Sequence, residues 1–112
     1  MPPCRVVDGR AYLTYRRWRL RDGVDVGQID ALVREQIVPH YRRLDPAVRL
    51  HLELVDGSRS ILAVQVWPDR ARHAAVLASG EYAEWLAAYR SILRRWDELV
   101  EFEAEWAATR LR

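Results

Sequence analysis

The sequence predicts a small α+β domain whose elements follow the order βαββαβ. Three observations carry this prediction. Apolar and polar residues alternate with a period of two in residues 48–54 and 61–67, as in half-buried strands. Apolar residues recur with a period near 3.6 in residues 29–44 and 82–99, as in amphipathic helices. Turn residues, most clearly Asp56-Gly57, separate these segments, and 112 residues suffice for one domain.

The first strand follows a short N-terminal tail. Residues 1–10 are punctuated by Pro and Gly, so we expect a tail there and a single domain over residues 11–112. Residues 11–20 are rich in Tyr, Thr, Trp and Arg with partial alternation, which predicts a strand. Asp22-Gly23 is a turn signal that ends this strand.

The first helix begins after Asp25, and Gln28 stands at the reciprocal position of a capping box. Pro39 lacks a backbone N–H and clashes with the preceding turn, which predicts a kink or a looser turn near it. Asp45-Pro46 closes the segment. The residues near one face of this helix are Ile29, Leu32, Val33, Gln36, Ile37, His40 and Leu44.

A hairpin and a second helical region complete the chain. Asp69 is expected to cap a short helix that stops at Gly80. Residues 102–108, in which Glu alternates with apolar residues, predict the last strand. On the return strand of the hairpin, one face carries Leu62, Val64 and Val66, and the other carries Ile61, Ala63, Gln65 and Trp67. The long second helix has one broad stripe of Tyr82, Trp85, Leu86, Tyr89, Ile92, Leu93, Trp96 and Leu99.

This order of elements is that of the ferredoxin-like arrangement, a four-stranded antiparallel sheet with helices on one face. Its first and last strands are usually neighbours, so Arg and Glu side chains can pair across them. We expect a charged second face that is either solvated or in contact with a second copy of the chain. Its predicted members are Arg17, Arg19, Arg49, His51, Glu53, Glu101, Glu103 and Glu105.

Composition excludes several classes of function. All 18 basic residues are Arg, but 16 acidic residues are interspersed with them and the net charge is only +2, which argues against a nucleic-acid-binding face. The single cysteine, Cys4, cannot form an internal disulfide. No apolar run has the length of a signal peptide or a membrane span, so a cytoplasmic protein is expected.

Common catalytic and metal-binding motifs are missing from the sequence. His, Cys, Asp and Glu do not occur at metal-ligand spacing, and the glycines form no phosphate-binding loop. A nucleophile elbow with its triad is also missing. We therefore expect no metal site, and any chemistry must come from isolated polar side chains among aromatic residues.

The segment from Val66-Trp67-Pro68-Asp69-Arg70 to Ser79-Gly80-Glu81-Tyr82 resembles the dimeric α+β barrel superfamily. The similarity is greatest to the branch with antibiotic-biosynthesis monooxygenases and haem-degrading monooxygenases. In these proteins the third strand ends in Trp, a short helix leads to a Ser-containing break, and an aromatic residue stands at the position of Tyr82. The resemblance in element order covers residues 11–108.

The resemblance implies that two copies pack their sheets face to face and that each keeps a pocket between its sheet and its helices. In the oxygenase members this pocket binds an aromatic polyketide, a quinol or haem. Arg16 lies near the family's strand-one Asn, and Leu86 lies near its haem-ligating His. Both departures argue against haem degradation, so no cofactor is expected.

Eight residues are candidates for the site. Arg16 would hold an anionic or phenolate group, and His73 or His40 would carry a proton. The aromatic candidates, which would bind the substrate, are Trp18, Trp67, Tyr82, Trp85 and Tyr89. Each also has a structural interpretation: the histidines as idle or core residues, the aromatics as core, and Arg16 as a surface ion-pair member.

The leading hypothesis is that the chain is a small-molecule pocket protein of the monooxygenase-like type. It would act as a cofactor-independent oxygenase on an aromatic or polyketide-like substrate and would form a homodimer through the sheet face. The alternative is a non-catalytic ligand-binding or structural dimer of the same fold, which an aromatic-filled pocket would favour. A ferredoxin-like RNA binder ranks last, because Tyr15 and Trp18 lie on opposite faces of the first strand.

Overall fold

The computed structural model describes residues 9–112, so Cys4 and most of the predicted tail lie outside it. The elements match the predicted order, with the first helix divided into two α-helices around a π-helical turn. The strands are β1 (Tyr12–Leu20), β2 (Arg49–Leu54), β3 (Ser60–Trp67) and β4 (Val100–Thr109). The helices are α1 (Val26–Leu32), the π-turn (Val33–Ile37), α2 (Val38–Leu44), α3 (Arg70–Leu77) and α4 (Gly80–Leu99).

The four strands form one antiparallel sheet in the order β2-β3-β1-β4. The first and last strands are therefore neighbours, as predicted. All helices pack on one side of this sheet, here called the helix side. The buried core lies between the two layers, where Ile29 and Ile61 are almost fully enclosed together with Trp67. Burial of these large apolar side chains is the main stabilising contribution to so small a domain.

The π-turn is the main departure from the predicted first helix. Pro39 has no N–H to donate and its ring would clash with the carbonyl four residues earlier. The chain widens one turn ahead of it, and the Val38 N–H donates to Val33 O, five residues back. This shift brings both His40 and Tyr41 into the core. Gln36, predicted on the buried face, is exposed instead, so that prediction was wrong.

The structure confirms some of the predicted helix ends and turns and corrects one of them. Asp25 and Gln28 form the predicted capping box at the start of α1. Gly80, predicted to end the short helix, instead begins α4 after the N-cap residue Ser79. The turn needs no left-handed residue, because Ala78 is still helical and Ser79 is extended. Gly57 does adopt a positive φ of 70° in the β2–β3 hairpin, as its sequence context predicts.

A β-bulge in β4 corrects one further prediction. The register between β1 and β4 shifts at Arg17/Trp18, which leaves Glu103 as the extra residue of β4. Residues beyond the bulge therefore change face. Glu105, predicted on the charged second face, lies on the helix side, where its carboxylate is 3.2 Å from Arg16 Nε.

The sheet face opposite the helices, here called the open face, is less charged than predicted. Leu13 and Val64 are buried at its centre, and the Tyr15 and Trp106 rings stack with centroids 5.3 Å apart. Charged residues surround this apolar centre in ion pairs, with 3.5 Å between Arg17 and Glu103 and 2.9 Å between His51 and Glu53. The open face thus combines an apolar middle with a charged border.

Candidate functional site

A cavity of about 240 Å³ lies between the helix side of the sheet and the three helices α2, α3 and α4. The sheet supplies Arg16, Gln65 and Trp67, which alternate toward this side by the period of two of β1 and β3. The remaining polar and aromatic walls come from the helices, as Tyr41, His73, Tyr82, Trp85 and Tyr89. Aromatic rings therefore make up about half of the lining, and four leucines complete it with the polar Arg16 and Gln65: Leu44, Leu77, Leu86 and Leu93.

Six of the eight candidate residues line this cavity. They are Arg16, Trp67, His73, Tyr82, Trp85 and Tyr89. Trp18 lines a smaller adjoining cavity of about 70 Å³, where it packs edge-on against Trp96 at 5.5 Å between ring centroids. His40 lines neither of the two cavities.

His40 joins α2 to α4. Its Nε2 is 3.0 Å from Trp85 O and donates to this carbonyl, while Trp85 Nε1 donates to His40 O at 2.7 Å. The imidazole also stacks on the rings of Trp85 and Tyr89, at 4.7 and 5.2 Å between centroids. This buried histidine, held by a hydrogen bond and by stacking on two rings, has the surroundings of a structural residue.

A chain of polar side chains runs along the cavity between Trp67 and Tyr41. Trp67 Nε1 donates to Gln65 Oε1 at 3.0 Å, and Gln65 Nε2 donates to the Tyr41 hydroxyl oxygen at 2.9 Å. The Tyr89 hydroxyl interacts with the same oxygen. Because the Tyr41 oxygen is an acceptor in this chain, its own O–H is available as a donor to a ligand.

Sequence reasoning missed Tyr41 and Gln65. Tyr41 lies off the predicted helical stripe and is brought inward by the π-turn, which no residue pattern announces. Gln65 had a usable signal. It is the one polar residue on the strand face that also carries Ile61, Ala63 and Trp67, and a buried amide there requires partners.

Burial sets the protonation states in the cavity. It raises the pKa of both Tyr41 and Tyr89, so both phenols remain protonated at neutral pH. Burial, and secondarily the nearby Arg16 charge, lower the pKa of His73. At neutral pH the cavity therefore contains the Arg16 cation, the protonated phenols of Tyr41 and Tyr89 and the neutral His73 imidazole, together with the third tyrosine, Tyr82.

Arg16 is the permanent positive charge of this site. It lines both cavities, and its charge acts on Tyr41, Tyr89 and His73. Its ion pair with Glu105 is half exposed, so solvent screens it and the pair contributes little to stability. The guanidinium thus has a partner that an anionic ligand can supplement or replace.

The short helix α3 places His73 over the cavity, although none of its residues is buried. Its anchor is Arg72, which forms a two-pronged ion pair with the buried Asp45, at 2.8 Å from Nε and 3.1 Å from the second nitrogen. The His73 ring then packs against Tyr12 and edge-on against Trp67, at 5.1 and 4.8 Å between centroids. His73 is thereby held beside the tryptophan at the end of β3.

In residues 9–112, His, Cys, Asp and Glu form no cluster of three that could hold a metal ion. None of the helices described is both long and apolar enough to cross a membrane.

Comparison with known proteins gives the fold a context. No protein-family model matches the chain, and no curated protein matches it either. Solved structures do. SnoaB, a cofactor-independent oxygenase from Streptomyces nogalater, is 16% identical with a TM-score of 0.54, over 92% of this chain and 95% of its own.

The chain has the fold of the antibiotic-biosynthesis monooxygenases. A candidate member from Chloroflexus aurantiacus is 17% identical with a TM-score of 0.52, over 91% of this chain and 94% of its own. A NIPSNAP family protein from Agrobacterium tumefaciens is 18% identical with a TM-score of 0.52, over 90% and 91%. These matches confirm the expected ferredoxin-like α+β fold of the superfamily. At these identities the similarity concerns the fold alone.

Proposed function

We propose that the protein binds a compact aromatic small molecule as its anion and acts as a cofactor-independent oxygenase on an aromatic or polyketide-like substrate. The observation that carries this proposal is the placement of Arg16 and the Tyr41 hydroxyl on one aromatic-walled cavity. A cation and a hydroxyl donor there suit the oxygen of a phenolate or enolate.

The dimensions of the cavity support a compact, planar ligand. An apolar cavity of about 150 Å³ binds benzene, and drug-sized pockets occupy about 300–1,000 Å³. The cavity of about 240 Å³ lies between these values. Its walls offer faces for stacking, since Tyr82, Trp85 and Tyr89 succeed one another along α4 with ring centroids 5.8 and 4.8 Å apart.

In the proposed reaction the substrate itself supplies the electrons. The neutral His73 imidazole removes a proton from an acidic methylene of a hydroxylated aromatic ketone, and Arg16 with Tyr41 stabilises the resulting anion. The anion reduces dioxygen and binds it at the same carbon. The methylene becomes a carbonyl that contains one oxygen atom, and the second oxygen leaves as water with the two hydrogens of the methylene.

Oxygen uptake tests this proposal. We expect the protein to consume dioxygen with 1,8-dihydroxyanthrone in buffer that contains a metal chelator, and to release one quinone per dioxygen. The rate should exceed that of spontaneous oxidation in the same buffer without protein. If the rate of oxygen consumption with protein equals the spontaneous rate, although the substrate is shown to bind, the protein is a binding module and not an oxygenase.

The pH dependence of this oxygen uptake should report His73. Its lowered pKa means that the base is already neutral somewhat below pH 6.5, so the rate should rise with pH and level off with a midpoint under that value. Arg16 contributes to the lowering, so Arg16→Met should move the midpoint up toward 6.5. His73→Gln should lose the pH-dependent rise.

The matched control is His51→Gln, which alters an exposed histidine paired with Glu53. We expect this variant to keep the wild-type profile. A profile that persists in His73→Gln would assign the base to another group.

A second candidate function is a non-catalytic binding dimer of the same fold. The observation in its favour is that the aromatic residues of the cavity already satisfy one another, as in the reciprocal hydrogen bonds of His40 and Trp85. It predicts ligand binding without oxygen uptake, and the assay above separates the two.

We further propose that two copies associate through the open face, as the resemblance implies. Its apolar centre and the Tyr15–Trp106 stack support this. Trp106→Glu would put a charge without a partner into such an interface, at a cost of several kcal/mol. Light scattering should therefore give a dimer for the wild type and a monomer for this variant.

Leu54→Glu is the matched control, because Leu54 is half exposed at the edge of the sheet on the helix side. It should remain dimeric. A wild-type monomer, or a Trp106→Glu dimer, would show that the open face is not the interface.

A further inference from the structure

The smaller cavity adjoins the larger one. Five residues line both, namely Arg16, Tyr41, Gln65, Tyr89 and Leu93. The small compartment, of about 70 Å³, extends from these residues toward the π-turn and the centre of the sheet. Since about 10–15 Å³ of such space holds one water, it can hold a chain of a few carbon atoms.

The two compartments differ in chemistry. The large one has mainly aromatic side chains beside its polar groups. The small one adds a group of aliphatic side chains next to the indoles of Trp18 and Trp96, namely Val33, Ile37, Leu50 and Leu52. Three polar residues, Arg16, Tyr41 and Gln65, lie where the compartments meet. A ligand oxygen is therefore expected at the junction, an aromatic ring on one side of it and an aliphatic group on the other.

The π-turn is part of this arrangement. Its first and last residues, Val33 and Ile37, both line the small compartment. The same turn brings Tyr41 to the junction. π-Turns inside α-helices are frequently found at functional sites.

We infer that the preferred ligand is an aromatic compound whose ring carries an ionisable oxygen and, on the adjacent ring carbon, a short unbranched alkyl chain that occupies the small compartment. This inference rests on the proposed function for the position of the ring and its oxygen. The adjacent attachment follows from the geometry, because the oxygen and the start of the chain both lie at the junction.

Three probes of matched chemistry test the inference by calorimetry: 1-naphthol, 2-propyl-1-naphthol and 4-propyl-1-naphthol. Each buried methylene is worth about fourfold in affinity, so the 2-propyl isomer should bind at least about tenfold more tightly than 1-naphthol. The 4-propyl isomer has the same hydrophobicity, but its chain points away from the junction. It should gain less than about threefold.

Two variants locate the chain. Ala63→Leu and Leu52→Phe each place a larger side chain in the small compartment and so leave less space for a ligand there. Neither residue lines the large compartment. Both should abolish the preference for the 2-propyl isomer and leave 1-naphthol affinity within about twofold, the change expected when a contact is neither lost nor gained. Leu52→Phe decides the matter if Ala63→Leu does not fold. Ala88→Leu, on the exposed side of α4, is the matched control and should behave as the wild type.

The outcomes separate the two proposals. Equal binding of the two propyl isomers, or a preference that persists in a folded compartment variant, would overturn the alkyl-chain site while leaving the ring site intact. Failure of all three naphthols to bind would overturn the alkyl-chain site, whereas the proposed function is tested separately by oxygen uptake with 1,8-dihydroxyanthrone.

Discussion

Replacing Trp67 by alanine is expected to lower the free energy of unfolding by about 3–5 kcal/mol, the range for large aromatic residues removed from a core. Trp67 is 1% exposed and touches both layers of the domain. Its indole N–H donates to Gln65, and its ring packs edge-on against His73. The substitution thus opens a cavity in the core and removes the donor to a partly buried amide oxygen. Urea denaturation at fixed protein concentration measures the loss.

Two further variants show how much of this loss in the free energy of unfolding comes from packing and how much from the hydrogen bond. Trp67→Phe keeps most of the packing and removes the hydrogen bond. Loss of the hydrogen bond should lower the free energy of unfolding by about 1 kcal/mol, in addition to the effect of the smaller ring. Phe102→Ala removes an aromatic residue that is 53% exposed and should cost about 1 kcal/mol or less. A loss for Trp67→Ala as small as that of Phe102→Ala would show that Trp67 is not a core residue of the folded protein.

Replacing Arg16 by methionine is expected to have the largest effect on oxygen uptake. Methionine preserves much of the side-chain length and removes the one arginine among the described residues that line the larger cavity. Removal of a single group that stabilises a developing oxyanion typically costs about 100–1,000-fold in rate, and the partial exposure of Arg16 argues for the lower end, about 100-fold. Arg16→Lys should recover part of this, since the charge returns without the planar fork.

Arg17→Met is the matched control for Arg16→Met. Arg17 is the next residue of β1, also pairs with a glutamate of β4, and points to the open face. Loss of its charge should change the oxygen-uptake rate by less than about threefold, as for a surface substitution away from the site. Equal losses for the two variants would mean that Arg16 acts through the overall charge of the protein and not on a bound anion.

The fold could be predicted largely from the sequence because hydrophobic periodicity determines it. The stripe of α4 identifies the buried face of that helix correctly, and the alternation of residues 61–67 correctly separates the two faces of β3, since each side chain's direction follows from regular backbone geometry. The errors occur where the backbone is irregular. The π-turn moved Gln36 outward and Tyr41 inward, and the bulge in β4 moved Glu105 to the helix side. Neither irregularity has a residue signature that reveals how far it displaces the next side chains.

The candidate site was predictable to a similar degree. Trp67, Tyr82, Trp85 and Tyr89 lie on regular elements, and their common position follows from the order of strands and helices. The placement of His73 depends on the ion pair of Arg72 with Asp45, a contact between residues 27 positions apart that no local pattern predicts. Its role and those of the other site residues stay predictions until activity is measured.

In the proposed function, the cavity holds an aromatic anion against Arg16. Calorimetric titration with 2-hydroxy-1,4-naphthoquinone, a planar aromatic that is ionised at neutral pH, tests it without any need for turnover. We predict one bound molecule per chain, a binding affinity that falls by at least about tenfold in Arg16→Met, and wild-type affinity in Arg17→Met. No binding to the wild-type protein, or equal affinity in Arg16→Met, would contradict the claim.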